Sequence, residues 1–320
     1  MDRKPINNRI KIWGIALCMI TSCLLLMQGC MKDSMADCGL SVRVQYTRNK
    51  DGVDLLENID RLTLYVFDAE GTFVGEFPST GTLYNGFTMP LSLKSGTYTF
   101  VVWGGNLDDT YQLPSFVQGR TKQNDEAVLL KNVAADNTIT EFPTSLYYGT
   151  LSNVTIKPSL QRDQIFTINL IKDTKNVNVT ATGLPMETRA ESFACNIYSR
   201  NFGLRFDNLV TGTNEVKYIP HSTINEENQL VSQFVILREI SDKSTHSQLV
   251  FTRTQNNGIE SEIYRQSLID LILALLVRSG NADLDIEDEF NIEVAFVFGE
   301  YVTASVTING WTYDEVQYPL

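Results

Sequence analysis

The sequence is poor in the residues on which most enzymes and metal sites depend. It has only two histidines, His221 and His246, and they do not stand at a spacing that metal ligands use. It has no Gly-x-Ser-x-Gly elbow, phosphate-binding loop or dinucleotide fingerprint. We interpret both histidines as surface loop residues and expect no enzymatic activity, no metal and no cofactor.

Positive charge is also scarce. The chain has 26 lysines and arginines against 38 aspartates and glutamates, a net charge of -12. Residues 1–29 hold four of the basic residues and one acid, so the rest carries a net charge near -15. This balance excludes nucleic acid, which needs a basic surface, and electrostatic adsorption to an anionic membrane. If the protein sits on a membrane, a covalent attachment has to hold it there.

The N-terminus supplies such an attachment. Residues 1–11 are basic, residues 12–28 form an apolar run, and Gly29 stands directly before Cys30. A basic start, an apolar run and a small residue are typical of a secretory signal, and a cysteine after the small residue is typical of a lipoprotein signal. We therefore predict cleavage after Gly29 and attachment of fatty acids such as palmitate to Cys30.

On this interpretation residues 1–29 are a removed signal peptide and residues 30–37 a short tether. Cys23 is a competing lipid site, but cleavage there would leave the apolar Leu24–Met27 in the mature tail. An uncleaved transmembrane anchor is the other alternative, and the apolar run is at the short limit for spanning a bilayer.

Few cysteines remain outside these segments. Cys18 and Cys23 leave with the signal and Cys30 is expected to be acylated, which leaves Cys38 and Cys195. They could form one disulfide in an oxidising compartment. Two free, buried thiols are the alternative, because the two residues lie far apart in the sequence and in different predicted domains.

Alternating apolar and polar residues predict short β-strands along the mature chain. Clear examples are residues 41–46, 62–67, 72–77 and 97–103, and the second of them ends at the turn Asp68–Gly71. Strands of this length, separated by turns that contain glycine, predict antiparallel β-sandwiches. The chain is therefore expected to be mostly β.

A break at Lys157–Ser159 places a domain boundary near residue 160. We predict an N-terminal β-sandwich over residues 38–160 and a C-terminal β-sandwich over residues 161–320. The apolar run Tyr264–Val277, followed by Arg278, Ser279 and Gly280, predicts one largely buried helix in the second domain. A final hairpin is predicted from Ile292 to Ile308, followed by a short tail.

Two features of the sequence are candidate ligand sites. The acidic run Asp283–Glu289 has alternating carboxylates that could bind calcium, but it lacks the glycine and spacing of a calcium loop. We interpret it as a solvated loop. Exposed aromatic residues would serve glycan binding, whereas packing in the core is the alternative that we favour. The aromatic residues in question are Phe67, Phe73, Phe77, Tyr98, Phe100 and Trp103.

Several blocks resemble, in order, the fimbrium anchoring subunit (FimB-like) family of Bacteroidetes, within the transthyretin-like pilin superfamily. They are the early Cys38–Leu40, the strand and turn at Ile59–Gly71, the strand and loop at Gly96–Asn106, the Leu-rich helix with Asp270, and Thr307–Trp311. The likeness covers nearly the whole mature chain.

This resemblance implies two tandem transthyretin-like β-sandwich domains and a non-enzymatic role. Such proteins are held in the outer membrane by their lipid, anchor the base of a fimbria, join a stalk pilin by β-strand pairing and limit fimbria length. In polymerising stalk pilins the first strand is removed after a basic residue; Arg43 and Arg48 lie at that place here, and an anchor is expected to retain the strand. The alternatives are a glycan-binding surface lipoprotein, a stalk or tip pilin, and a hydrolase with a carboxylate pair.

Overall fold

Strands dominate the computed structural model, which describes residues 39–319 apart from 82, 158–162, 186–190, 213, 240–246 and 281–282. The strands up to residue 172 are β1 (Leu40–Gln45), β2 (Arg61–Asp68), β3 (Phe73–Thr80), β4 (Thr88–Leu91), β5 (Gly96–Gly104), β6 (Tyr111–Gln112), β7 (Ala127–Leu130), β8 (Thr138–Ile139), β9 (Tyr147–Ile156), β10 (Gln164–Asn169) and β11 (Ile171–Lys172). The remaining strands are β12 (Thr174–Thr182), β13 (Glu191–Ser199), β14 (Gly203–Arg205), β15 (Val216–Tyr218), β16 (His221–Ile224), β17 (Leu230–Leu237), β18 (Gln248–Gln255), β19 (Glu260–Ser267), β20 (Glu289–Phe298), β21 (Tyr301–Ile308) and β22 (Trp311–Pro319).

Helices are few among the described residues. There are a four-residue helix, α1 (Leu107–Thr110), and a longer helix, α2 (Leu268–Ser279). Two short 3-10 turns, Leu56–Asn58 and Gln123–Asp125, are also present. The predicted fold class, mostly β with one substantial helix in the C-terminal part, is confirmed.

The N-terminal sandwich consists of a three-stranded sheet, β10-β1-β4, and a five-stranded sheet, β11-β9-β5-β2-β3. Alternate residues of each strand point into the space between the sheets. Val42 and Val44 of β1 therefore face Leu64 of β2 and Phe100 of β5 in one apolar core. All four side chains are buried, as the alternating sequence pattern requires.

The C-terminal sandwich consists of a six-stranded sheet, β16-β17-β12-β20-β21-β22, and a five-stranded sheet, β19-β18-β13-β15-β8. Most strand pairs are antiparallel, as predicted, and the pairs β1–β10, β8–β15 and β12–β20 are parallel. Parallel neighbours need a long connection, so they come from strands that are distant in the sequence. The predicted hairpin from Ile292 to Ile308 is formed by β20 and β21.

The helix begins later than the predicted Tyr264. Ile263 and Tyr264 belong to β19, and both side chains are buried; Tyr264 pairs with Phe251 of β18, and Ile263 lies at a shift in the register. Ser267 ends this strand and caps α2 by accepting a hydrogen bond from the Asp270 N–H at 3.3 Å. Gly280 closes the helix in the left-handed conformation, as its place after the apolar run predicted.

Strand pairing crosses residue 160 in both directions. β10 lies beyond that residue but pairs with β1, and β7 and β8 lie before it but pair with β14 and β15. Any division into two domains therefore has to place these strands with their partners, and the boundary near residue 160 stays a prediction.

The aromatic residues that were expected to pack do so. Phe67, Phe73, Phe100 and Trp103 are buried. Phe77 and Tyr98 are partly buried and pack against the N-terminal core. This burial supports the core interpretation over an exposed aromatic platform for glycans.

Candidate functional site

The residues of the predicted lipid site lie outside the described residues. These are Gly29, Cys30 and the predicted disulfide partner Cys38. Cys195 lies in β13, opposite Phe251 of β18, and is buried. Burial raises the pKa of its thiol. Lipid attachment at Cys30, cleavage at Gly29 and the Cys38–Cys195 pairing stay predictions.

The first strand is held on both of its edges. Val42 of β1 pairs with Met89 of β4 on one side and with Phe166 of β10 on the other. Removal of β1 would leave both neighbouring strands without a partner and would expose the core that Val42 and Val44 fill. The N-terminal sandwich is therefore closed by the protein's own first strand.

The two ends of β1 have different surroundings. At its start, Leu40 pairs with Gln164 and Leu91, so that the chain from Cys30 enters the fold there. The strand is about 17 Å long at ~3.3 Å per residue. Beyond its other end, Tyr46 donates a hydrogen bond to Asp288 of the C-terminal part at 2.9 Å. The strand thus runs from the entry of the chain to the junction between the two sandwiches.

A group of charged residues and one tyrosine, which we call the clasp, joins the end of β1 to the segment before β20. It consists of Tyr46, Arg48, Lys175, Asp283, Asp285 and Asp288. Nη2 of Arg48 lies 2.9 Å from Oδ2 of Asp283 and 3.3 Å from Oδ2 of Asp285. Burial alone would raise the pKa of Asp283, but the Asp285 N–H and Arg48 together hold it below its usual value.

Asp288 ties the buried Lys175 into the clasp. It accepts hydrogen bonds from Oη of Tyr46 and from Nζ of Lys175, each at 2.9 Å. The Lys175 side chain is only 2% exposed, so the loss of Asp288 would leave a buried ammonium without its counter-ion. Burial and the nearby Asp288 carboxylate both raise the pKa of Tyr46, so its hydroxyl remains a donor.

The acidic run was interpreted as a solvated loop, and the structure corrects this. Residues 283–288 are partly buried, and three of their carboxylates are bound by residues of other segments. Within the described residues, no group of three or more His, Cys, Asp or Glu side chains is arranged to hold a metal ion. His221 is exposed but lies in β16 rather than in a loop, and His246 lies outside the described residues.

Asp173 extends the charged network into the interior. It is fully buried between β11 and β12, where Nε of Arg238 lies 3.6 Å from its Oδ1 and Asn208 donates to it at 3.3 Å. Arg238 also binds Asp285, which connects Asp173 to the clasp. Burial raises the pKa of Asp173 to about 6 although Arg238 opposes this shift.

Asp173 should make the protein more stable in mild acid. Its pKa is about 6 in the folded chain, above the usual ~3.9 of an unfolded aspartate. Protonation of Asp173 therefore stabilises the folded chain. This stabilisation is complete below about pH 3.9 and is lost as the pH rises through about 6. From about pH 7.5 to about pH 5 the free energy of unfolding should rise by about 1 kcal/mol. Urea unfolding at both pH values should show this rise in the wild type and in Asp60→Asn, an exposed control, but not in Asp173→Asn. An equal rise in Asp173→Asn would contradict the assignment.

An aromatic cluster joins the two halves beside the charged network. The fully buried ring of Phe206 lies 4.9 Å from the ring of Tyr65, 5.8 Å from Trp103 and 4.7 Å from Phe116, measured between centroids. Its carbonyl accepts a hydrogen bond from Gln123 at 2.9 Å. Phe206 follows β14, so a side chain from the second half of the chain packs with residues of the first half in a core that both halves share.

β22 forms one edge of the six-stranded sheet. It pairs with β21 from Trp311 to Pro319, and none of the described strands pairs with its other side. A register shift opposite Ala304–Val306 places a bulge in this strand, which twists an edge and protects it from uncontrolled pairing. Arg278 at the end of α2 donates to the carbonyl of Thr312 and fixes the start of the strand.

Two edge strands of the N-terminal sandwich are less suited to pairing. β3 contains Pro78 and β4 contains Pro90, and a proline offers no N–H to an added strand. On the opposite edge of the six-stranded sheet, β16 has only four residues. Among the described strands, β22 is a long edge whose proline, Pro319, comes at its end.

The part of the chain that the structure describes contains no helix long and apolar enough to cross a membrane. The sequence pattern described as fimbrillin-A associated anchor proteins Mfa1 and Mfa2 matches residues 35–317. The chain belongs to this family. None of the curated proteins compared with the sequence matches it.

Solved structures show the same fold. The fimbrial anchor protein Mfa2 from Porphyromonas gingivalis aligns with a TM-score of 0.72 and 23% identity, over 87% of this chain and 99% of its own. A proposed polysaccharide-binding protein from Bacteroides thetaiotaomicron aligns with a TM-score of 0.73 and 24% identity, over 87% and 98%. A proposed adhesin from Bacteroides ovatus aligns with a TM-score of 0.70 and 20% identity, over 86% and 94%.

Membership of the family confirms the resemblance noted in the sequence. It gives the chain a structural role in fimbriae, at the cell surface and in association with other fimbrial subunits. The clasp was not predicted. The sequence indicated Arg48 only as a basic residue near the first strand, and Asp283 only as part of an acidic run. No sequence signal connects two residues that are 235 positions apart.

Proposed function

We propose that this protein is the lipid-anchored base of a fimbria. Cys30 holds it in the outer membrane, and β22 joins it to the first stalk pilin by strand pairing. The observation that carries this proposal is the position of β1, which is paired on both sides and completes the N-terminal sandwich.

The position of β1 distinguishes an anchor from a stalk pilin. β1 lies between the predicted lipid at Cys30 and the rest of the protein, so cleavage after Arg43 or Arg48 would separate the body from its lipid. An anchor therefore has to keep β1. With β1 in place, the N-terminal sandwich has no vacant strand position for another subunit there, and the fimbria stops growing at this protein.

The joint to the stalk then has to use another edge, and we assign it to β22. Main-chain pairing along a nine-residue strand provides many hydrogen bonds and a defined register. The bulge and Arg278 hold this edge until the partner arrives.

The proposed joint and the membrane attachment are connected by a short mechanical route. Tension on β22 passes through β21 and β20 to the clasp, and the clasp holds Tyr46 and Arg48 directly after β1. A pull on the tether acts along β1, so the ladders that β1 forms with β4 and β10 are loaded together rather than one bond at a time.

Labelling cells with a clickable fatty acid tests the lipid attachment. The wild type should be labelled and recovered with membranes, whereas Cys30→Ala should lose the label and release the protein, with its fimbriae, into the medium. Cys38→Ala is the matched control and should keep both label and attachment. Persistent labelling of Cys30→Ala would refute the assignment of Cys30.

A further inference from the structure

A groove opens between the two sheets of the N-terminal sandwich, where both of them end. Its walls are the edge strands β3 and β4, and its volume is about 390 Å³, within the range of small-ligand sites. Phe77, Phe87 and Met89 line it together with Pro78 and Pro90.

The floor of the groove is continuous with the apolar core. Met89 is only 4% exposed, while Phe77 and Phe87 are partly buried against the same core cluster. Near its rim the ring of Tyr84 is 61% exposed and contacts Phe87 edge-on, with 5.8 Å between centroids. The groove is thus a mostly apolar surface, with Glu76, Ser79 and Thr88 as its polar lining, that the fold leaves accessible to solvent.

The strands beside the groove offer little to a peptide. Pro78 and Pro90 have no N–H, and a proline in an edge strand stands where the N–H would face the open side. The N–H and the carbonyl of Phe87 are already bound, to Tyr84 at 2.9 Å and to Val44 at 3.1 Å. An added peptide strand would leave polar groups unpaired, which is costly in an apolar site. A hydrocarbon chain requires no such partners.

The groove lies close to the point where the chain enters the fold. Gly39 is nine residues after Cys30 and precedes β1, and Ser41 of β1 pairs with Pro90 in the wall of the groove. The nine residues from Cys30 to Gly39 span at most about 30 Å, whereas the wall of the groove from Leu91 to Phe87, four residues along the chain, is only about 13 Å long. An acyl chain on Cys30 can therefore reach any part of the groove.

We propose that this groove holds an acyl chain attached to Cys30 while the protein is away from a membrane. The inference rests on the lipid attachment in the proposed function. It gives the lipid an intramolecular apolar site during passage through water. Because the groove is open along one side, the chain can leave it for a bilayer, where more of its methylene groups are buried.

Crosslinking from the lipid itself tests the proposal. Cells would be fed a fatty acid with a diazirine at its end, and the lipidated full chain would be purified, freed of detergent by dilution and irradiated. Mass spectrometry should find the label joined to residues of β3 or β4, mainly near Phe77, Phe87 and Met89. After insertion into phosphatidylethanolamine vesicles, the same crosslinks should fall by about tenfold.

A second measurement does not depend on lipidation. The full-length Cys30→Ala chain should bind a fluorescent fatty acid saturably, and Phe87→Glu or the exposed rim change Pro90→Lys should weaken this binding at least tenfold. Val297→Glu, on an exposed position of β20, is the control and should bind like the parent chain. Circular dichroism would show that each variant is folded.

The possible failures are distinguishable. If the purified protein carries no label at all, the lipid attachment is wrong, and the fatty-acid titration still judges the groove. Crosslinks elsewhere on the chain, binding that Pro90→Lys leaves unchanged, or crosslinks from the groove to a second protein would each overturn the proposal.

Discussion

Deletion of residues 311–320, which removes β22, should leave the protein in the membrane but release most of the fimbriae from the cell. The reason is that the lipid site and β1 are untouched, while the proposed joint to the stalk is lost. Electron microscopy and immunoblots of cells and medium would measure the shift, which we expect to be at least about tenfold in attached fimbriae. It is the largest functional effect that the structure predicts.

Deletion also exposes β21, so a milder pair of variants is needed. Successive N–H groups in a strand point to opposite edges. Val316 and Gln317 are successive residues, so one of the variants Val316→Pro and Gln317→Pro removes a backbone hydrogen bond to β21. The other removes an N–H donor on the side of β22 that faces away from β21. The variant that removes the N–H facing away from β21 should detach fimbriae without lowering the free energy of unfolding. Thr223→Lys, on the opposite edge strand β16, should have no effect on attachment. Normal attachment in the deletion and in both proline variants would place the joint elsewhere.

Local sequence patterns predicted the elements that are stabilised by near neighbours. The alternation in 62–67 and 97–103 corresponds to β2 and β5, and the hairpin of β20 and β21 follows from its own turn. The predicted start of the helix was wrong because apolar residues of β19 run directly into those of α2, and an uninterrupted apolar run does not show where a strand ends. Ser267 marks the change, because it is the capping residue.

The pairings that shape the molecule have no local signal. β1 and β10 are parallel neighbours more than 120 residues apart, and the irregular stretch 104–143 is completed by β14 and β15. For the same reason the sequence indicated the basic residue Arg48 and the carboxylates of residues 283–288 but not their contact. Only the folded chain brings them together. The site residues predicted near the N-terminus, by contrast, come from a linear motif, which can be recognised without knowing which strands pair.

Replacing Phe206 with alanine should destabilise the protein by about 3–5 kcal/mol, the usual effect of removing a fully buried phenylalanine. Its ring contacts residues of both halves, so the cavity would open in the core that they share. Phe206→Leu, which keeps most of the volume, should cost less than about 1.5 kcal/mol. Urea unfolding followed by tryptophan fluorescence would measure both, since Trp103 lies in the same cluster.

The matched control is Phe142→Ala, because Phe142 is 39% exposed and packs outside this cluster. It should change the free energy of unfolding by less than about 1 kcal/mol. The shape of the transition is equally informative: a shared core makes the wild type unfold in one step. Two separated transitions in the wild type, or equal effects of Phe206→Ala and Phe142→Ala, would mean that the halves are stable independently. In that case tension from a fimbria would be carried by the clasp and by the strand pairs that cross residue 160, and the ion pairs of Arg48, which are partly exposed, are individually weak.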